Sequence, residues 1–375
     1  MTQLRNDLIA IWNNDGKFRY LTPFSLLLYS LSLLYGGIVR FRNFLYDSGF
    51  VPIKRLPCPV IAVGNLTVGG TGKTPMTIFL ANVLQDAGYR PAILSRGYGR
   101  KRHRSIAVVS DGNRLLMNPV HAGDEPFLMA LSTGVPVLTG ADRFSTGQCA
   151  VTQLNADILL LDDAFQHRCV FRDLNILLLD AKQPFGNGFL LPRGPLREPH
   201  RSLGRADLIV LTRADKQPET TPGKHTLEGV ARQTPFFRAV HRPKAIVSLS
   251  NIREKAFASH NTSYLSPDFI QYKKVFAFAG IAKPDTFKNT VESLGAELAA
   301  FRGFSDHHIY TSQDIDAIRR LARQCRAEII LTTEKDGVKL RDLGRSLSDI
   351  YLLQIEMAIV REEEFTQAIL KKLKR

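Results

Sequence analysis

Apolar positions along the chain fall into short buried runs that alternate with stretches of helical period. Val60-Ile61-Ala62-Val63 is a β-branched run and predicts a buried strand. Met76, Phe79, Leu80, Val83, Leu84 and Ala87 then recur at helical spacing, with Pro75 in the first turn and Gly88 as the stop. Further apolar runs predict strands at 92–95, 135–138, 157–161, 175–179 and 207–211. Runs this continuous are buried on both sides, so they predict a mostly parallel sheet with helices on both faces. From about Gln233 the rhythm changes. Strands are expected at 236–241 and 244–248, leaving the first sheet, then at 274–279, 328–332 and 351–355, with a helix over 314–325. The fold class expected is α/β: a mostly parallel-sheet core at 51–232 and a smaller C-terminal α/β domain at 233–375. An N-terminal apolar helix occupies 1–50.

That N-terminal pattern differs from the rest. Residues 21–39 carry no charge and include Leu26-Leu27-Leu28 and Leu33-Leu34, with Lys17 and Arg19 before and Arg40 and Arg42 after. The run is long enough to cross a bilayer core. Ser25, Ser30, Ser32 and Gly36-Gly37 dilute it, and Tyr29 and Tyr35 suit an interfacial depth. A spanning helix, an interfacial helix and a helix docked on the domain all fit, and membrane association is the expectation. No small-residue cleavage site follows a short apolar core.

Charge narrows the partners. The net charge of +15 over 375 residues calls for an anionic partner, such as nucleic acid, a phosphorylated substrate or an acidic membrane surface. The four cysteines are scattered without metal-ligand spacing, which points to a reducing compartment and no zinc site.

Between the first strand and its helix lies Thr67-Val68-Gly69-Gly70-Thr71-Gly72-Lys73-Thr74. Strand, glycine-rich turn, Gly-Lys-Thr and helix describe a phosphate-binding loop, although Thr67 stands where the common pattern has its first glycine. Glycines let successive N–H groups curl around a phosphate, and the helix N-terminus adds free donors. Lys73 can reach the outer phosphates and the Thr74 hydroxyl can sit on Mg²⁺. The apolar run at 158–161 ends in Asp162-Asp163, which is how a Walker-B carboxylate for Mg²⁺ is presented; either aspartate could take that role.

Other dense sites follow. Ser95 to Arg104 is a basic loop at a strand end, read as a phosphate clamp; no further aromatic–basic interleaving supports nucleic acid. Gly123-Asp124-Glu125-Pro126 suits a helix start, and phosphoryl transfer needs a carboxylate or His to orient the accepting hydroxyl. Residues 184–200 form a long apolar and basic loop that suits an amphiphilic anion. Thr212-Arg213-Ala214-Asp215 loosely resembles the element that reads guanine in GTPases. His307 and His308 lack a third ligand at metal spacing.

Taken in order, these motifs carry a resemblance. Gly64-Asn65-Leu66 before the loop, Ser95-Arg96-Gly97-Tyr98-Gly99, Gly123-Asp124-Glu125-Pro126 and Asp162-Asp163-Ala164-Phe165-Gln166-His167 come first. They are followed by Leu191-Pro192-Arg193-Gly194-Pro195-Leu196-Arg197-Glu198-Pro199, Phe304-Ser305-Asp306-His307-His308 and Glu334-Lys335-Asp336. The chain resembles the tetraacyldisaccharide 4′-kinase family over nearly its whole length, and Thr67 is what that family shows. The resemblance implies a P-loop NTPase-like core whose cleft the C-terminal domain completes, ATP and Mg²⁺, an acylated glucosamine disaccharide 1-phosphate as acceptor, an anionic membrane surface, no nucleic acid, and the cytoplasmic face of the bacterial inner membrane. It maps an acceptor-activating carboxylate–His pair onto Asp124 and His307 or His308, with His307 preferred. It also marks Arg96, Tyr98, His167, Arg197 and Glu198 for substrate or nucleotide contacts. The alternative is a membrane-associated P-loop ATPase or GTPase switch. The partitioning ATPases carry a lysine where Val68 stands, and the 212–215 element speaks for a GTPase.

Overall fold

The computed structural model describes residues 11–12, 23–97, 106–214, 234–250, 264–343 and 347–374. Tyr98, the rest of the basic loop through Arg104, and Asp215 lie outside the described residues. In chain order the elements begin with helix α1 (Pro23–Asp47), β1 (Val60–Asn65), α2 (Lys73–Asp86), β2 (Pro91–Ser95), β3 (Ala107–Asp111), α3 (Asp124–Ser132) and β4 (Pro136–Thr139). Then come α4 (Arg143–Leu154), β5 (Ile158–Leu161), β6 (Leu174–Asp180), β7 (Leu208–Thr212), β8 (Phe236–Ser248) and β9 (Lys274–Ala279). The chain closes with α5 (Pro284–Ser293), β10 (Glu297–Gly303), α6 (Ser312–Gln324), β11 (Ile329–Thr333), α7 (Glu334–Leu340), β12 (Ile350–Val360) and α8 (Glu362–Leu373).

The chain packs as two compact units. One comprises residues 1–76, 158–240 and 358–375; the other comprises 77–157 and 241–357. In the first unit β7, β6, β1 and β5 run parallel in that order, with Asn65 opposite Leu178 and Ala62 opposite Leu161. Every residue of β1, β5 and β7 is buried, the burial that the unbroken apolar runs call for. In the second unit β10, β9, β11 and β12 are parallel, as are β2 and β4, and β3 joins β4 antiparallel. Phe276, Phe278, Tyr310, Ile315, Ile318 and Leu352 fill one side of that unit's core.

Three differences from the sequence pattern have simple causes. The strands expected at 236–241 and 244–248 are one strand, β8. Arg242 and Pro243 interrupt the apolar pattern, but a proline is tolerated where its ladder hydrogen bond is dispensable. β3 and β10 were not expected. Each is an end strand of its series and only partly buried, and its short apolar run, Ile106-Ala107-Val108-Val109 or Leu298-Ala299-Ala300-Phe301, passes directly into polar residues. β12 extends well beyond 351–355, and its later residues alternate between partly and fully buried.

Helix α1 shows a narrow face to the first unit. Ser25, Leu28, Ser32, Gly36 and Val39 are buried, at three- and four-residue spacing. Ser32 Oγ donates to the Leu190 carbonyl (2.9 Å) and Tyr35 OH to that of Arg197 (2.9 Å). At Gly36 a Cβ would meet Leu190 Cδ1 at 2.8 Å, so a larger residue would have to displace the end of the Leu190 side chain. The opposite side is apolar and exposed: Leu27, Leu33, Leu34, Ile38, Phe41 and Phe44.

Candidate active site

Because β1, β5, β6 and β7 are parallel, their C-terminal ends lie along one edge of the first unit, where ligands bind in open α/β sheets. The phosphate loop leaves β1 at that edge. Gly69 and Gly72 take φ of 117° and 86°, conformations that favour glycine. A Cβ on Gly69 or Gly70 would meet nothing within 4 Å, so the loop faces open space. The loop's entry is pinned by the 184–200 segment: Val68 N donates to the Pro195 carbonyl (2.7 Å) and Arg197 N to that of Leu66 (2.7 Å). Lys73 begins α2, with Nζ 3.5 Å from the Gly69 carbonyl and 3.7 Å from Asp163 Oδ1.

Asp162 and Asp163 follow β5. Asp162 is buried, and Asp163, at φ 48°, accepts from Arg197 Nη1 at 2.8 and 3.1 Å. The structure therefore gathers Lys73, Asp163 and Arg197 at one spot. Asp180, at the end of β6, pairs with Arg213, whose other terminal nitrogen donates to the Gly70 carbonyl. Sequence reading gave Arg213 to guanine recognition. Here it braces the phosphate loop from its left-handed position at φ 57°.

Glu198 is fully buried and holds Arg42 (2.8 Å), Asn43 (3.3 Å) and Arg205, all through its carboxylate. His167 Nε2 lies 2.9 Å from Cys169 Sγ. Arg96 is exposed just past β2, in the second unit.

The second unit brings Asp124 and His307 together. Gly123, at φ 92°, turns the chain into α3, whose first residue is Asp124. His307, at φ 58°, places Nδ1 3.2 Å from Asp124 Oδ2. Burial pushes the Asp124 carboxyl up, but the His307 hydrogen bond and the Lys339 and Lys335 ammonium groups outweigh it and hold the group below its usual range. His308 is engaged elsewhere: its Nε2 lies 3.3 Å from Asp314, the capping-box acid of α6. Beside the pair, Lys335 bridges Glu125 (3.2 Å) and Asp306 (3.6 Å). Asp336 is fully buried and ties the Gly280 N–H (2.9 Å), the Thr333 hydroxyl (2.7 Å) and Lys339 (3.0 Å) together. Lys339 escaped the sequence reading, and Arg213 and Lys335 entered it only within the runs 212–215 and 334–336, because their partners are set by tertiary contacts.

A lysine at a helix N-terminus, a glycine turn bordering open space and acids just past the neighbouring strand are the apparatus that grips a nucleoside triphosphate. The class so defined is that of the P-loop nucleotide-binding proteins. The family model for tetraacyldisaccharide-1-P 4′-kinase matches residues 24–374. The chain is 46% identical over 376 residues to the tetraacyldisaccharide 4′-kinase of Syntrophus aciditrophicus, covering 97% of each chain. It is 42% identical to that of Pelobacter propionicus, covering 98% of each. Among solved structures, LpxK from Aquifex aeolicus in complex with ATP superposes with a TM-score of 0.75 at 34% identity, covering 93% of this chain and 99% of that one. This chain belongs to the tetraacyldisaccharide 4′-kinase family.

Proposed function

We infer that the chain is a lipid kinase of lipid A biosynthesis. It transfers the γ-phosphoryl group of ATP to the 4′-hydroxyl of a tetraacyldisaccharide 1-phosphate, giving lipid IVA. The observation that carries the reading is a family match over 24–374 in a chain whose phosphate loop keeps Gly72, Lys73 and Thr74 at a strand–helix junction.

The amides of residues 67–74 would line the triphosphate, and Lys73 would stabilise charge on its β- and γ-phosphates. Mg²⁺ takes oxygen donors and keeps several waters. Thr74, Asp162 and Asp163 offer only oxygen donors and belong to one unit, so the donor set fits that ion. Bound there, it would neutralise charge on the phosphates. With His307 Nδ1–H donating to Asp124, Nε2 is left to accept the proton of the 4′-hydroxyl as its oxygen bonds to the γ-phosphorus. The γ-phosphorus–oxygen bond breaks with its electron pair going to ADP. Arg197, which touches Asp163, suits the transferring phosphoryl, and Arg96, Tyr98 and His167 remain candidates for nucleotide or sugar contacts. Glu198 would serve by holding arginines.

Residues 51–232 carry the nucleotide machinery in this reading, and 233–375 supply His307. Helix α1 would lie in the membrane interface on the cytoplasmic face of the inner membrane. Its serine and glycine face is taken by protein, and its exposed leucines and phenylalanines suit acyl chains. An acylated, phosphorylated acceptor and an anionic membrane surface both suit a charge of +15. Nucleotide turnover with and without acceptor tests the reading against a P-loop switch. ADP release should depend on the acylated disaccharide 1-phosphate; equal turnover without it favours the switch.

A further inference from the structure

The first unit holds a second concentration of positive charge. Arg42, Arg168, Arg172 and Arg205 gather around Glu198, each through a different anchor. Arg42 and Arg205 bind the buried Glu198 carboxylate. Arg168 donates to Asp47 (2.6 Å) and to the Asn43 carbonyl (3.2 Å). Arg172 donates to the carbonyls of Ala164 (3.1 Å) and Phe165 (3.0 Å). Two of the guanidinium groups lie over rings, Arg168 at 5.0 Å from the Tyr46 centroid and Arg205 at 4.7 Å from that of Phe165. Such stacking fixes the guanidinium plane and leaves its edge free to bind.

The cluster is incompletely satisfied. Nε of Arg42, Arg168 and Arg205, and Nη1 of Arg205, are buried without an acceptor. The Arg168 side chain is 8% exposed. Buried donors on a charged group without an acceptor are unfavourable, and native structures seldom keep them without reason. The four cations bind two carboxylates, Glu198 and Asp47, so two positive charges remain in excess. The strain shows at Arg172, where burial, and then the neighbouring Arg205 and Arg168, push the group down to about 10.

We propose that these four arginines form a seat for a phosphomonoester dianion, separate from the phosphate loop. The seat takes either the 1-phosphate of the acceptor or the headgroup phosphate of an anionic phospholipid. A phosphomonoester carries close to two negative charges and several strong acceptor oxygens, which matches both the charge excess and the empty donors. Placement supports it. Arg42 lies on α1 at the margin of its buried face, where it reaches Glu198, while the exposed Phe41 and Phe44 occupy the far side of the same helix turn. Glu198, at the centre of the cluster, directly follows Arg197, which binds Asp163 beside Lys73. An amphiphile could thus rest its anionic end on the cluster while its other sugar approaches the loop. The Arg42 side chain is 40% exposed, which gives the seat an opening.

The assignment of the acceptor's 1-phosphate rests on the kinase reading; the seat itself does not. The test uses the full chain and an Arg42→Gln/Arg168→Gln variant, checked for folding by thermal unfolding. In the first arm, kcat/KM is measured for the acceptor with its 1-phosphate and for the same acylated disaccharide bearing a 1-hydroxyl. Wild type should prefer the phosphorylated acceptor, and the variant should lose about 10- to 100-fold of that preference with the KM for ATP unchanged. In the second arm, cosedimentation is measured with phosphatidylcholine vesicles with and without phosphatidic acid. Loss of the phosphatidic acid preference, with acceptor preference intact, assigns the seat to the membrane. A folded variant that keeps both preferences overturns the seat, as does a wild type with neither. Absence of transfer to both acceptors by wild type would sink the kinase reading alone, and the vesicle arm would still decide the seat. If the double variant does not fold, Arg42→Gln carries the same comparison at about tenfold.

Discussion

Replacing Asp124 by Asn tests most sharply the proposed acid–base role of Asp124 and His307. The substitution keeps the shape of the side chain and removes the charge 3.2 Å from His307 Nδ1. At an effective dielectric of about 20, a carboxylate and an imidazolium at that distance attract by about 5 kcal/mol. His307 is half exposed, so solvent screens this to about 2–3 kcal/mol. If His307 becomes protonated in the transition state, that energy is lost there and not in the ground state. The expected fall in kcat/KM is therefore about 30- to 150-fold. His307→Ala removes the base itself and should cost about 10²- to 10⁴-fold. Because Asp124 acts through His307, the double variant should fall within about threefold of His307→Ala. Thermal unfolding controls for the loss of a first-turn acid on α3, which should cost only about 0.3–1 kcal/mol. The assay is steady-state transfer to the acylated disaccharide at saturating ATP. A double variant that loses the product of the two single effects would show that the residues act independently and would refute the pairing.

Other consequences follow from named contacts. Lys73→Ala should leave the fold intact, since its nearest partners are a carbonyl and an acid at 3.5 and 3.7 Å, yet lower kcat by at least about 10²-fold in the transfer assay. Arg213→Ala should release the Gly70 carbonyl and raise the KM for ATP more than it lowers kcat; an unchanged KM removes the brace. Burial holds the Glu334 carboxyl up at about 7 against an ordinary 4.5, so its protonated form favours the folded state. That contribution is present below about pH 4.5 and is lost as the pH rises through about 7. The thermal midpoint of Glu334→Gln should therefore gain on wild type as the pH goes from 5 to 8. Leu34→Glu on α1 should reduce vesicle recovery while ATP binding stays unchanged, because Leu34 is 65% exposed on the apolar face.

The parts of this molecule that are local in sequence were legible before any coordinates. β1, the phosphate loop and α2 form one continuous stretch, and glycine, lysine and threonine at that junction have few other uses. Asp162 and Asp163 were legible for the same reason, as acids ending an apolar strand. What the chain hides is pairing at a distance. His307 and Asp124 are 183 residues apart, and only the family likeness joined them. Arg213 reads as a base-recognition element until its guanidinium is found on Gly70. Glu198 reads as a substrate contact until it is found buried among arginines from α1 and from the segment after β7's neighbour β6. The edge strands β3 and β10 are hidden differently, because a short, partly buried apolar run that passes directly into polar residues does not announce a strand.

In the function proposed above, this chain moves a phosphoryl group from ATP to an acylated sugar. Incubating the full chain with γ-labelled ATP and a purified tetraacyldisaccharide 1-phosphate, then locating the label, tests it directly. A labelled bisphosphate lipid with the new phosphate on the 4′-oxygen is expected, and none with Lys73→Ala. Label appearing only as inorganic phosphate, at the same rate with and without the lipid, would contradict it.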